Sequence, residues 1–229
     1  MSDREAILGR IREALTVTAP VPGVHGGKTS HSVTEKESAE HISDWLPPVG
    51  ESFDGRVRLF AANSADLKTD FHLLETREEL IAKLLAIAQK EGWKKVGGHH
   101  GDLTDMAIQA LGLPVCDTSI SYDVNNLESC DAGISECDAL VAQTGSVLIS
   151  TRSAGGRALS VLPPHHVVLA RREQLLPDLP SAFTLLNSRY APGFPSFISL
   201  ITGPSRTGDI ERILVLGAHG PKKLTILCY

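Results

Sequence analysis

From Val57 onward, short apolar runs alternate with longer amphipathic stretches, and few architectures accommodate that rhythm. Val57–Ala62 reads as a strand and Phe71–Leu74 as another. Arg77–Gln89 then carries apolar residues at helical spacing and stops at Gly92. Trp93–Gly97 is strand-like, Thr104–Leu111 helical and Pro114–Cys116 a short strand. Strands alternating with helices of this length require a mostly parallel sheet with flanking crossover helices, an α/β fold. The middle of the chain breaks the pattern. Ala139–Ser150 is two apolar runs joined by Gln143-Thr144-Gly145-Ser146, an inserted β-hairpin with a polar tip. Val167–Ala170 reads as a buried strand, Leu179–Asn187 as a helix, Phe197–Ile201 as a buried strand and Leu224–Leu227 as the last strand.

The first part of the chain is of a different kind. Residues 3–15 carry Ile7, Leu8, Ile11 and Leu15 on one helical face, 16–32 are rich in Pro, Gly, Ser and Thr, and Thr34-Glu35-Lys36-Glu37 has the spacing of a helix start. Residues 1–50 are therefore expected to form a helical N-terminal arm and flexible linker, and residues 55–229 the α/β domain. The formal net charge of −5, without a basic cluster, argues against nucleic acid as a partner. No apolar run reaches the length of a membrane span, and the start does not read as a signal peptide, so the expected location is cytoplasmic. The four cysteines, Cys116, Cys130, Cys137 and Cys228, form no C-x-x-C pair, so no cofactor, metal or iron–sulfur cluster held by this chain alone is expected.

The C-terminal stretch holds the densest set of candidate site residues. An apolar run ends at Thr202-Gly203-Pro204-Ser205-Arg206-Thr207, and Asp209-Ile210-Glu211 reads as the first turn of a helix capped by Ser205 or Thr207. Free amides at a helix start, with the guanidinium fork of Arg206, make a cradle for an anion. Gly217-Ala218-His219-Gly220-Pro221 adds a second glycine-rich turn with a histidine.

Five segments, taken in order, are similar to one family. They are Glu136-Cys137-Asp138 with Val141–Ser146; Arg157; Leu162-Pro163-Pro164-His165-His166-Val167-Val168; Thr202–Glu211; and Gly217–Pro221. The series resembles the lactate utilization protein C family, the LUD-domain proteins, over roughly residues 55–229. The resemblance implies the fold of the ribose-5-phosphate isomerase, glucosamine-phosphate deaminase and CoA-transferase group. It also implies a part in oxidising L-lactate to pyruvate, beside partner subunits that carry iron–sulfur clusters. Glu136 and His219 are then the candidate catalytic residues. Thr144, Gly145, Ser146, Arg157, His166, Thr202, Gly203, Ser205, Arg206, Thr207, Asp209 and Gly220 are the candidates for binding a small carboxylate or other anion.

Read as chemistry, His219 between small residues suits removal of a hydroxyl proton near neutral pH. Glu136, between apolar runs, needs a cationic partner such as Arg206, or else a raised pKa. Both residues are expected in one cleft at the carboxyl ends of the strands. His99-His100-Gly101-Asp102 is a weak metal candidate, since neighbours on a strand face opposite ways. Two other functions stay open: a stand-alone CoA-, folate- or sugar-phosphate-binding enzyme with Glu136 as nucleophile or base, and a non-catalytic assembly or regulatory subunit.

Overall fold

A computed structural model describes residues 46–207, 215–217 and 219–229. The helical arm expected within residues 1–50 and the helix start expected at Asp209–Glu211 lie outside them, apart from residues 46–50. The elements run α1 (Phe53–Asp66), β1 (Asp70–Leu73), α2 (Arg77–Glu91), β2 (Val96–Gly98), α3 (Asp102–Leu111), β3 (Val115–Asp117) and α4 (Val124–Glu128). They continue with β4 (Ala132–Glu136), β5 (Ala139–Val141), β6 (Ser146–Ser150), β7 (His165–Ala170), β8 (Leu175–Leu176) and α5 (Leu179–Tyr190). The last are β9 (Ile198–Ile201), β10 (Arg206–Thr207), β11 (Val215–Leu216) and β12 (Lys223–Cys228).

Six strands form a wholly parallel sheet in the order β1-β12-β7-β4-β2-β3. The expected hairpin is present: β5 and β6 pair antiparallel, and β8 and β9 extend them to a second sheet, β8-β5-β6-β9. Alternation along each strand decides what each face of the large sheet meets. Val167, Leu169, Ile134 and Leu227 pack with Leu80 and Leu84 of α2 and Leu103 and Ala107 of α3. Val168, Ala170, Leu224 and Ile226 face the other way, onto Leu140, Val147 and Ile149 of the small sheet and Phe60 of α1. The far side of the small sheet is covered by Ala182, Leu186 and Tyr190 of α5. Burying both faces is why the central parallel strands read as continuous apolar runs.

Val57–Ala62 is a correction: these residues lie inside α1, not in a strand. Ser52 caps that helix by accepting from the Gly55 N–H, and Phe53, Val57 and Phe60 pack into the core at helical spacing. The β-branched and aromatic content of Val-Arg-Leu-Phe masked that spacing. Phe197–Ile201 is also corrected, since β9 is a half-buried edge strand of the small sheet. Trp93 precedes its strand rather than belonging to it. Among the described residues no helix is long and apolar enough to cross a membrane.

Candidate functional site

Where β7 and β12 begin, the two sheets part and leave a cleft of about 170 Å³. His166 and Leu224 form its floor on the large sheet, and Phe197, Ser199 and Ile201 its wall along β9. Ser160 and Val161 close a second side, and Gly203–Ser205 with His219–Pro221 close the third. Each wall has a local cause. Ser160 and Val161 lie against the sheet because β4 carries glycine at position 133; a Cβ there would come within 2.4 Å of the Leu159 carbonyl oxygen. Gly203 has φ +90°, a conformation other residues avoid, and it packs on the Leu67 carbonyl.

The two C-terminal loops are stitched together. The Ser205 N–H donates to the Pro221 carbonyl and the Gly217 N–H to the Ser205 carbonyl, both at 2.9 Å. Arg206 and Thr207 then pair antiparallel with Leu216 and Val215. Ser205 therefore stands at the root of a β-ladder, which corrects the helix-cap expectation for it. The Lys222 and Lys223 amides both donate to the Pro164 carbonyl, fixing this region to the turn before β7.

His166 is 1% exposed, and its Nε2 lies 2.9 Å from Ser135 Oγ on β4. Burial, with a smaller effect of His165, pulls its pKa down to about 3, so it is neutral at physiological pH. His219 is exposed at the cleft mouth. Arg206 is exposed too, yet its Nη2 lies 3.7 Å from where a Cβ on Gly203 would be, so the guanidinium folds back to the rim. The cleft thus has an apolar flank (Val161, Phe197, Ile201, Leu224), hydroxyls and the His166 imidazole inside, His219 at its mouth, and the exposed Arg206 guanidinium beside Gly203.

Glu136 is elsewhere. It ends β4, three residues past the level of His166, about 10 Å along the strand. Its side chain faces α3, away from the small sheet. There Oε1 accepts from the Leu103 amide at 2.8 Å and the Thr104 amide at 3.3 Å, and Oε2 lies 3.8 Å from Arg171 Nη1. The expectation of one cleft at the carboxyl ends is overturned: His219 and Glu136 occupy opposite ends and opposite faces of the large sheet. The cationic partner of Glu136 is Arg171 rather than Arg206. Beside it, the Glu136 amide donates to His99 Nε2 at 3.2 Å, which leaves the His99 proton on Nδ1, 2.9 Å from the His100 carbonyl. Burial lowers the His99 pKa.

Residues 57–229 match the LUD domain family. This chain belongs to that family. Proteins named lactate utilization protein C are 30% identical over 122 residues in Oceanobacillus iheyensis and 33% over 103 residues in Geobacillus kaustophilus. These matches span 52% and 44% of this chain and 52% and 43% of the relatives, about half of each. One from Anoxybacillus flavithermus is 28% identical over 170 residues, 72% of this chain and 70% of the relative. The crystal structure of a DUF162 family protein from Deinococcus radiodurans superposes with a TM-score of 0.60 at 18% identity, covering 78% of this chain and 99% of that one. That likeness concerns the fold.

Within the LUD domain, the other sequence candidates divide clearly. His166, Gly203, Ser205, His219 and Gly220 meet in the cleft, with Arg206 at its rim. Thr144, Gly145 and Ser146 form the hairpin tip, where Gly145 lies against Asn63 of α1 and Leu67, which caps that helix. Ser146 Oγ is 2.8 Å from Thr144 Oγ1 and 2.7 Å from Thr202 Oγ1, so these hydroxyls bond one another. Arg157 donates to the Ser196 carbonyl at 2.9 Å and lies 6.0 Å from the Phe197 ring centroid, bracing the cleft wall from outside. The Thr207 side chain and Asp209 fall outside the described detail. Sequence reasoning missed Ser135, Ser160, Phe197 and Ser199. Only Phe197 and Ser199 carried a signal, as alternate residues of one strand.

The cysteines form two separate groups. Cys116 and Cys130 share a small core with Leu127 and Leu159, while Cys137 and Cys228 lie in the core between the sheets. Burial pushes the Cys130 thiol up to about 11 and that of Cys228 to about 12, and raises Cys137 as well. Thiols so divided do not converge on one site.

Proposed function

We propose that this LUD-domain chain serves in lactate utilization by binding a small carboxylate in the cleft at the amino ends of β7 and β12. The observation that carries the reading is the cleft itself. An apolar flank suits a short carbon tail, imidazole and hydroxyl groups suit a C2 oxygen, and Arg206 at the rim suits a carboxylate. The relatives' name, lactate utilization protein C, supports the choice of acid.

Oxidising a 2-hydroxy acid to a 2-oxo acid releases two electrons and two protons. In this reading His219 takes the hydroxyl proton. The electrons and the other proton need an acceptor that side chains do not provide, so the chain works beside partner subunits bearing iron–sulfur clusters. Glu136 stays a structural carboxylate, because its oxygens are held by α3 amides and Arg171.

Calorimetric titration of the purified chain with L-lactate and pyruvate tests the site. Binding that weakens about tenfold in Arg206→Ala is the expected result. Absence of any binding sinks the carboxylate reading. Purification from cells grown on lactate tests the partners: cluster-bearing subunits that travel with the chain support them, and a colourless, lone chain removes them.

A further inference from the structure

His166 differs from the other groups in the cleft because its proton can be located. Ser135 is fully buried, and its hydroxyl hydrogen needs an acceptor. Among the described residues the partner it has is His166 Nε2, at 2.9 Å. A nitrogen that accepts carries no hydrogen, so the imidazole proton sits on Nδ1. That N–H is buried and has no partner among the described residues, on a side chain that lines the cleft. An unmet buried donor costs about 1–3 kcal/mol, and an oxygen acceptor on a ligand removes that cost.

We infer, on the carboxylate reading above, that His166 is the specificity-determining group of the cleft. It is a fixed Nδ1–H donor, locked by Ser135, that favours a 2-oxo acid over the corresponding 2-hydroxy acid. A carbonyl oxygen only accepts and satisfies the donor outright. A hydroxyl that accepts from Nδ1 must also give its own hydrogen to an acceptor, which in the reading above is His219 at the cleft mouth, a second requirement that the carbonyl does not carry. Because burial keeps the ring neutral, His166 neither takes the substrate's proton nor gains a second N–H at physiological pH.

The preceding residue supplies a control. His165 Nε2 lies 2.9 Å from Thr225 Oγ1, and its Nδ1 also lacks a partner among the described residues. The same tautomer is therefore expected there. His165 faces the opposite side of the sheet, however, against the Trp93 ring at 5.3 Å, and takes no part in the cleft.

Nitrogen-15 NMR of the histidine-labelled full chain reads the tautomer directly. The expected spectrum shows His166 protonated at Nδ1 and bare at Nε2 from pH 6 to 8, with the Nδ1 signal moving when pyruvate is added. Calorimetry should give pyruvate the higher affinity. The double variant Ser135→Ala/His166→Phe, which leaves no orphan group behind, should lose about five- to tenfold in pyruvate affinity. His165→Gln should retain the parental affinity. A proton on Nε2, or an unchanged pyruvate affinity in the double variant, overturns the inference alone. If neither acid binds the unaltered chain, the carboxylate reading falls and this inference with it. Should the double variant fail to fold, the tautomer and the pyruvate-induced shift of Nδ1 decide the matter.

Discussion

The two ends of the large sheet are both rich in polar side chains, and they have been used in opposite ways. At the carboxyl end, Glu136 fills the amino terminus of α3, His99 accepts from the Glu136 amide, and Asp102 pairs with Arg171 and Arg77. Two residues on, the fully buried Asp138 carboxylate meets Arg189, Tyr190 and Ser153. The protein has answered each of these groups from within. At the amino end, His166 has a nitrogen with no partner among the described residues, His219 is exposed, and apolar side chains flank an open space. Polar density is therefore a poor guide to a site. Polar groups whose partners are missing are a better one, because burying them unpaired has a cost that a ligand can remove.

The strongest way to break this comparison is at Asp138. Replacing it by alanine leaves Arg189, Tyr190 and Ser153 without their shared acceptor, and should destabilise the fold by about 3 kcal/mol. The figure is the low end of the usual range because Arg189 is 43% exposed. Urea unfolding checks it, and a loss below about 1 kcal/mol would mean that the carboxyl end is not held by this network.

Acid probes the other end. Burial pulls His165 to about 4 and His166 to about 3, against about 6.5 in the unfolded chain. Between those values the unfolded state binds more protons, so stability is complete above pH 6.5 and falls as pH drops toward 3–4. Urea midpoints at pH 7, 5 and 4 should decrease in that order. Replacing His165 by glutamine should flatten part of the decrease, and an unchanged slope would remove it as a cause.

Glu136→Ala separates the ends most directly. It strips two α3 amides of their acceptor, at about 1–2 kcal/mol by analogy with a lost helix cap. Melting temperature should fall while the affinity for pyruvate stays at the parental value. A variant that melts normally but loses the ligand would return Glu136 to the functional site.

The smallest effect is expected at Ser146→Ala. Its hydroxyl bridges Thr144 and Thr202 beneath the hairpin tip, and losing it should cost about 1 kcal/mol. Ligand affinity should hold, since the bridge lies outside the cleft. A large loss of affinity would show that the tip supports the Gly203 loop.

Much of the architecture was legible because period and composition are local. Arg77–Gln89 announced α2 by its spacing and its Gly92 stop, and the Gln143–Ser146 tip announced the β5–β6 hairpin. Val57–Ala62 was misread because a β-branched and aromatic run outweighed the Phe53, Val57, Phe60 spacing. The site was half legible. Gly203, Ser205, His219 and Gly220 lie in two nearby loops, and the segment order placed His166 with them.

The sequence by itself determined the alternation of strands and helices, and therefore a parallel sheet covered on both faces. Only the tertiary structure decided which end of that sheet is open. Strand polarity and pleat put residues three apart on opposite faces and about 10 Å apart, so Glu136 and His166 could not be assigned to one site or two from spacing. Whether a buried polar atom is met by its neighbours is likewise a property of packing. Ser135 meets one nitrogen of His166, and the other has no partner among the described residues.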